Sequence, residues 1–235
     1  MVIGDDLRVM VSMVGGMAPR TVYTVGHSTR SAEEFVALLH EFGVQQLVDI
    51  RTVPRSRTNP QFNLDQLPAT LADAGIGHTY CKGLGGLRPT SKDSINTAWR
   101  NASFRGYADY MQTGEFRAAL AALEDLAADR TVAIMCAEAV WWRCHRSLVA
   151  EALLVRGWDV QHIMGPGKLN PATLRDFAVV DGDRITYPGG TDAAPERDRD
   201  AAPERGPAQR PRPQRRTAAA PEGAAPDAHR PQGGG

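Results

Sequence analysis

The chain has 235 residues, enough for one domain of ordinary size or two small ones. Its 27 Lys and Arg residues balance its 27 Asp and Glu residues, so the formal net charge is zero. This balance excludes attachment to nucleic acid or membrane by bulk charge alone. The sequence has no run of about 18 apolar residues, which excludes a membrane-spanning helix.

The composition changes along the chain and predicts three regions. No Val, Ile, Leu, Met, Phe, Trp or Tyr follows Tyr187, so residues 188–235 are predicted to be a disordered tail rich in Pro, Ala and Arg. Residues 1–19 are weakly patterned and are predicted to be an extension, which leaves residues 20–187 as one domain. Three cysteines and the absence of a recognisable export signal predict reduced thiols and a cytoplasmic location.

Within this domain, short apolar runs alternate with helical patterns. A predicted strand at 21–25 is followed by a capping box formed by Ser31 and Glu34, which begins a helix that ends at Gly43. The later elements are predicted strands at 46–50, 77–81, 131–135 and 159–163; helices at 63–75 (capped at Asn63), 104–111, 114–128 and 145–156; a short helix from Asn170-Pro171; and a hairpin turned by Asp181-Gly182.

The alternation of strands and helices predicts the fold class. We expect a single three-layer α/β domain with a mostly parallel sheet and helices on both faces. In such sheets, ligands bind beyond the carboxyl ends of the strands.

Polar and titratable residues follow four successive predicted strands, whereas the loops at the opposite edge are plainer. This asymmetry predicts a binding or active site at the carboxyl edge. The residues concerned are Gly26-His27-Ser28, Asp49-Ile50-Arg51 with Arg55, Ser56 and Arg57, Lys82 with Gly85-Gly86, and Cys136-Ala137-Glu138 with Trp141-Trp142 and Cys144-His145-Arg146.

These motifs, together with Tyr107-Ala108-Asp109-Tyr110-Met111, resemble the family catalogued as domain of unknown function 488. The resemblance covers roughly residues 21–177 and implies an α/β fold and the positions of the site. A second and more distant similarity, to rhodanese-type sulfurtransferases, concerns the region around the strand at 131–135. It differs from that family's short thiolate loop, because ten positions separate Cys136 from Arg146.

Four residues are candidates for catalysis. Cys144 lies at or just before a predicted helix N-terminus, where the helix dipole lowers a thiol pKa. Cys136 is an alternative nucleophile, and His145 or His27 is a candidate base. A desolvated Glu138 beside two tryptophans would suit general acid/base work. The structural alternatives are buried cysteines and salt bridges between Glu138 and an arginine.

Five residues are candidates for binding an anion. Arg51 and Arg146 carry side chains suited to bidentate recognition of phosphate or carboxylate. His27 and Ser28 occupy a turn where backbone N–H groups, imidazole and hydroxyl converge, and Ser56 follows in the loop after Arg51. The alternative is that these groups satisfy one another inside the domain.

No metal or cofactor is predicted. Cys81, Cys136, Cys144 and His145 are zinc-type ligands, but the spacing of the last two cysteines is unusual for a ligand pair and no CxxC is present. Neither a GxGxxG fingerprint nor a P-loop occurs.

The leading hypothesis is an enzyme acting on a phosphorylated or otherwise anionic substrate, such as a nucleotide or nucleic-acid component. The alternatives are a non-catalytic module that binds a ligand or nucleic acid and an enzyme with rhodanese-like thiol chemistry. The sequence predicts neither a membrane partner nor an oligomeric state.

Overall fold

The apolar runs of the sequence form one six-stranded sheet in the computed structural model, which describes residues 20–190. Its order is β3-β2-β4-β1-β5-β6, and only β6 runs antiparallel to its neighbour. The predicted mostly parallel α/β fold is therefore confirmed. The strands are β1 (Thr21–Gly26), β2 (Gln46–Asp49), β3 (Gly77–Tyr80), β4 (Val132–Cys136), β5 (Asp159–Gly165) and β6 (Lys168–Pro171).

Helices cover the sheet on both faces because alternate strand residues point to opposite sides. Helices α1 (Ala32–Glu41) and α2 (Leu67–Asp73) bury Phe35, Leu39 and Leu71 against one face. Tyr107, Leu120 and Leu148 pack against the other face. They come from α3 (Ala102–Tyr110), α4 (Gly114–Asp129) and α5 (Arg146–Val155). The result is the predicted three-layer domain.

Most of the predicted helix starts and ends are confirmed. Ser31 and Glu34 form the predicted capping box at the start of α1. Gly43 and Gly75 have φ angles of +63° and +72°, a conformation that glycine adopts without strain. The predicted cap at Asn63 is wrong. The Asn63 side chain instead accepts a hydrogen bond from the Ser56 backbone and closes the loop after β2, and α2 begins four residues later.

The predicted short helix at Asn170-Pro171 is also wrong. These residues belong to β6, which pairs with β5 so that His162 faces Asn170 and Gln161 faces Pro171. Proline is tolerated here because β6 is an edge strand, where a missing N–H costs no ladder hydrogen bond. The predicted hairpin is confirmed as β7 (Val179–Asp181) and β8 (Arg184–Thr186), a separate two-stranded sheet.

The strand order creates a switch point between β1 and β4. The chain leaves β1 toward α1 on one face, and it leaves β4 toward α5 on the other. Their carboxyl ends are paired, with Gly26 opposite Cys136. Ligands of open α/β sheets bind at such points, so the fold favours a site at this edge.

The predicted extension at 1–19 lies outside the described residues, as does the predicted tail from residue 191 onward. Among the described helices, none has the length and apolar character needed to cross a membrane.

Candidate functional site

Two thiols and one imidazole converge at the switch point. Cys136 is the last residue of β4, Cys144 immediately precedes the helix cap, and His145 is the N-cap of α5. The Nδ1 atom of His145 lies 3.9 Å from Sγ of Cys136 and 3.7 Å from Sγ of Cys144. All three atoms lie within 4.8 Å of one another. We call these residues the cysteine–histidine cluster. Three of the four predicted catalytic residues are thus brought together.

A backbone carbonyl fixes the orientation of the imidazole. His145 Nε2 lies 3.1 Å from the carbonyl oxygen of Ile50, at the end of the neighbouring strand β2. A carbonyl oxygen only accepts hydrogen bonds, so Nε2 carries the hydrogen. In the neutral ring, Nδ1 then keeps its lone pair. That lone pair faces the two sulfur atoms.

Arg146 holds the loop between β4 and α5. Its side chain is 1% exposed, and its two terminal nitrogens donate to the carbonyls of Glu138 (2.6 Å) and Ala139 (3.0 Å). The guanidinium therefore stabilises the loop that carries Cys144 to the helix. The structure places this predicted anion ligand beneath the loop rather than on the surface.

The surroundings of Cys144 favour its charged form. Burial raises the thiol pKa, but a hydrogen bond from the Cys136 thiol, the positive charge of Arg146 and the Arg146 backbone N–H together lower it to about 7. The pKa of Cys136 is raised well above its usual value, first because its proton is shared with Cys144 and second because of burial. The two thiols therefore form a coupled pair in which Cys144 is the more acidic member.

The loop after β3 covers the cluster. A Cβ atom at Gly86 would lie 2.8 Å from His145 Nδ1, so only glycine fits without a shift at this position. The Thr52 hydroxyl donates to the Gly86 carbonyl at 2.7 Å, and the Tyr107 ring centre lies 5.1 Å from that of His145. Because of this cover, Cys144 is only 3% exposed.

A second set of polar side chains lies beside the cluster, and its members form hydrogen bonds with one another and with nearby backbone carbonyls. Arg51 donates to both carboxylate oxygens of Asp49 (2.9 and 2.6 Å) and to the carbonyl of Phe62. Its remaining terminal nitrogen lies 3.3 Å from His27 Nε2. Burial is the main cause that lowers the pKa of His27 to about 4, so the ring is neutral and accepts this bond. Its other nitrogen bonds the carbonyl of Ser28.

The remaining predicted residues are not members of the cluster. Ser56 organises its own loop by accepting from the backbone of Thr58 and Asn59. Ser28 donates its backbone N–H to Ala137, which continues the pairing of β1 and β4 past the strand ends. Glu138 is exposed, so the desolvation expected for its carboxylate does not occur.

Backbone strain is concentrated at the same edge. Ser28 (φ +53°) and Leu87 (φ +55°) are the non-glycine residues with left-handed backbone in the part of the chain that the structure describes. Such strain persists where the surrounding structure enforces it, often at functional sites. Leu87 is also 76% exposed and Val53 is 62% exposed. The hydrogen bond from Thr52 to Gly86 joins the two loops that carry these exposed apolar residues.

Two groups that surround His145 were not assigned this role in the sequence analysis. The Ile50 carbonyl, which orients His145, carries no side-chain signal. Gly86 was predicted only as part of a polar strand-end motif, although a glycine pair in a loop after a strand does signal close backbone approach. The spacing of Asp49 and Arg51 does indicate that they can pair, because residues two apart along a strand point to the same side.

A comparison with protein-family models decides the family. Residues 31–153, more than half of the chain, match the model described as Domain of unknown function DUF488. The chain belongs to this family. The DUF488 match runs from α1 into α5 and includes the whole cysteine–histidine cluster. Neither the curated proteins nor the solved structures give a match.

Acidification is expected to destabilise the fold through His162. This residue of β5 is 1% exposed, stacks on Trp141 at 4.3 Å and pairs with Thr24 Oγ1 at 2.7 Å. Burial, followed by the charge of Arg146, lowers its pKa from 6.5 to about 3. Between these values the unfolded chain binds the extra proton. Stability therefore falls with decreasing pH, by up to about 1.4 kcal/mol per pH unit from this group.

Urea unfolding of the wild type and His162→Gln tests this expectation. The stability difference between them should shrink by about 2 kcal/mol between pH about 7.5 and about 5. A difference that stays constant over this range would contradict the assignment of the buried, neutral ring.

Proposed function

We propose that this DUF488 protein is an enzyme in which the Cys144 thiolate attacks an anionic substrate at the carboxyl edge of the sheet. One observation carries the proposal: Sγ of Cys144 lies at the N-terminal end of α5, 3.7 Å from His145 Nδ1 and within 4.8 Å of the Cys136 thiol. Nucleophilic cysteines are activated by such a helix terminus and an adjacent imidazole.

His145 is the base that accepts the thiol proton of Cys144 in this proposal. Its Nδ1 faces both sulfurs, and the Ile50 carbonyl orients the ring. His27 was the other candidate, but both of its nitrogens are engaged, one by Arg51 and one by the Ser28 carbonyl. Cys136 supports Cys144 as a hydrogen-bond donor to the thiolate.

The reaction would proceed through a covalent intermediate. Sulfur of Cys144 forms a bond to the electrophilic atom of the substrate, and the bond from that atom to its leaving group breaks. The leaving group keeps the electron pair and takes a proton from an acid. Water then attacks the same electrophilic atom, and the electron pair of the broken bond returns to sulfur. Exposed Glu138, on the loop that Arg146 anchors, is the proposed acid and base for these proton transfers.

The anionic substrate is inferred from exposed arginines at this edge. Arg51 and Arg146 use their terminal nitrogens inside the domain, so they position the loops instead of contacting a ligand. Arg55 and Arg57, in the loop after β2, expose their side chains to solvent. Together with the positive end of α5, they favour a phosphate or carboxylate group.

We expect Cys144 to be the most reactive thiol of the chain. Under limiting iodoacetamide, peptide mass spectrometry should show Cys144 labelled at least about tenfold faster than Cys81. Cys81 is an internal control because it is more exposed, yet burial raises its thiol pKa. Equal labelling of these two cysteines would contradict the proposal.

Catalysis itself is tested with chromogenic phosphate esters, nucleoside monophosphates and thiosulfate as substrates. Turnover should be retained by Cys81→Ser and lost by Cys144→Ser. Thermal-shift binding that survives in both variants without turnover of any substrate would favour the non-catalytic binding module instead. Turnover of thiosulfate alone would favour sulfur transfer.

A further inference from the structure

The cysteine–histidine cluster has the donor atoms and the spacing of a metal site. Thiolate and imidazole are the ligands that zinc-class cations prefer. Around a tetrahedral zinc ion, with Zn–S about 2.3 Å and Zn–N about 2.0–2.1 Å, a sulfur and a nitrogen ligand lie about 3.6 Å apart. Here the two sulfur–nitrogen distances are 3.9 and 3.7 Å. Both distances are close to the length of that tetrahedron's edge.

The histidine is already oriented as a ligand. Metal-binding histidines usually donate their second N–H to a carbonyl or carboxylate, which fixes the tautomer. His145 does this through Nε2 and the carbonyl of Ile50, so Nδ1 presents a lone pair toward the two sulfurs.

Charge and burial are compatible with a bound cation. A divalent ion held by two thiolates and one neutral imidazole forms a group with no net charge, so burial carries little penalty. Cys136 and Cys144 are 7% and 3% exposed, and Gly86 lies against the His145 ring. The site is thus shielded from solvent.

We infer that Cys136, Cys144 and His145 bind one soft divalent cation of the zinc class. Binding forms two metal–sulfur bonds and one metal–nitrogen bond, and it releases the protons that the two thiols still carry. Among the described residues, the cysteine–histidine cluster supplies three ligands. The fourth position of the tetrahedron is left for water or an atom of the substrate, as in catalytic zinc sites.

Such a cation would regulate the site. Coordination uses the electron pair with which Cys144 would attack a substrate, so the metal-bound protein is inactive in thiol chemistry. This regulatory clause rests on the proposed function, whereas metal binding itself does not. The seven-residue gap between the cysteines hid the site from spacing rules, because the ligands are brought together by the β4–α5 connection.

Cobalt(II) is the probe for the metal site. Titration of the reduced full chain should give a thiolate-to-cobalt charge-transfer band that saturates at one ion per chain and disappears when Zn²⁺ is added. Cys81→Ser is the matched control and should bind as the wild type does. Cys136→Ser and Cys144→Ser should each weaken binding by about 100-fold or more, since loss of even an outer-shell partner costs 10–100-fold.

A second measurement needs no variant and so does not depend on how the variants fold. Zn²⁺ should protect Cys144 of the wild-type chain from iodoacetamide while the labelling of Cys81 stays unchanged. Equal labelling with and without Zn²⁺, or a cobalt band that persists in both Cys136→Ser and Cys144→Ser, overturns the metal site.

The two proposals fail in different ways. If cobalt binds as expected but Cys144→Ser retains full turnover of the metal-free enzyme, the metal site stands and the nucleophile assignment falls. If Cys144 is hyper-reactive and no cobalt band appears, the nucleophile stands and the metal site falls. Inhibition of turnover by stoichiometric Zn²⁺, reversed by a chelator, supports the regulatory clause, and unchanged turnover with Zn²⁺ bound overturns it.

Discussion

Replacing Asp49 with Asn is expected to lower the free energy of unfolding by about 3–5 kcal/mol, among the largest effects of any conservative change in this domain. Asp49 is fully buried and accepts three hydrogen bonds from Arg51, one from its backbone and two from its guanidinium. The amide of asparagine cannot balance the buried positive charge, and its NH₂ group would face a second donor. Urea unfolding of both proteins measures the loss.

Glu115→Gln is the matched control for this change. The Glu115 carboxylate lies 4.0 Å from Arg88 and is 66% exposed, so solvent screens the pair and the loss should stay below about 1 kcal/mol. The double variant Asp49→Leu/Arg51→Met should be more stable than Asp49→Asn, because no unpaired charge is left in the interior. Similar decreases in the free energy of unfolding for Asp49→Asn and Glu115→Gln would contradict the larger contribution assigned to the buried pair.

Gly26→Ala is expected to cost about 3 kcal/mol or more, at the upper end of overpacking effects. A Cβ atom at this last residue of β1 would lie 1.8 Å from the carbonyl oxygen of Glu138, an atom of the backbone that Arg146 holds in place. The loop after β4 would have to move away from β1. That movement would also break the hydrogen bond from the His27 backbone to Cys136.

Gly165→Ala provides a comparison at the end of another strand. Gly165 ends β5, a Cβ atom added there would have no neighbour within 4 Å among the described residues, and its φ is outside the left-handed region. We expect a change of no more than about 1 kcal/mol there. Thermal unfolding separates the two variants, and equal midpoints would contradict the close packing at Gly26. Gly26→Ala should also alter the labelling of Cys144, because it displaces the loop between β4 and α5.

Local signals explain why so much of the fold could be predicted. The capping box of Ser31 and Glu34 and the glycine ends of α1 and α2 depend on hydrogen bonds and backbone angles within a few residues. The prediction at Asn170-Pro171 was wrong for the complementary reason. Pairing with β5, which is a contact between separate chain segments, overrode the local preference for a helix start.

The roles of the arginines show the same division within the candidate site. Arg51 and Arg146 carry side chains that suit an anion, and the sequence could not distinguish a ligand contact from an internal one. Both side chains are buried in the folded domain, and burial depends on how loops from different strands meet. In the folded domain Arg51 pairs with Asp49, and Arg146 donates to the carbonyls of Glu138 and Ala139.

By itself, the sequence determined the α/β class, most element positions and the edge of the sheet that carries the polar residues, because these follow from short-range periodicity and from the direction of parallel strands. Only the tertiary structure decided that β4 lies between β1 and β2. That order sets the Ile50 carbonyl beside His145 and Gly86 above it, and it turns Cys136 and Cys144 toward one imidazole. Strand order follows from long-range pairing energies, which no window of neighbouring residues contains.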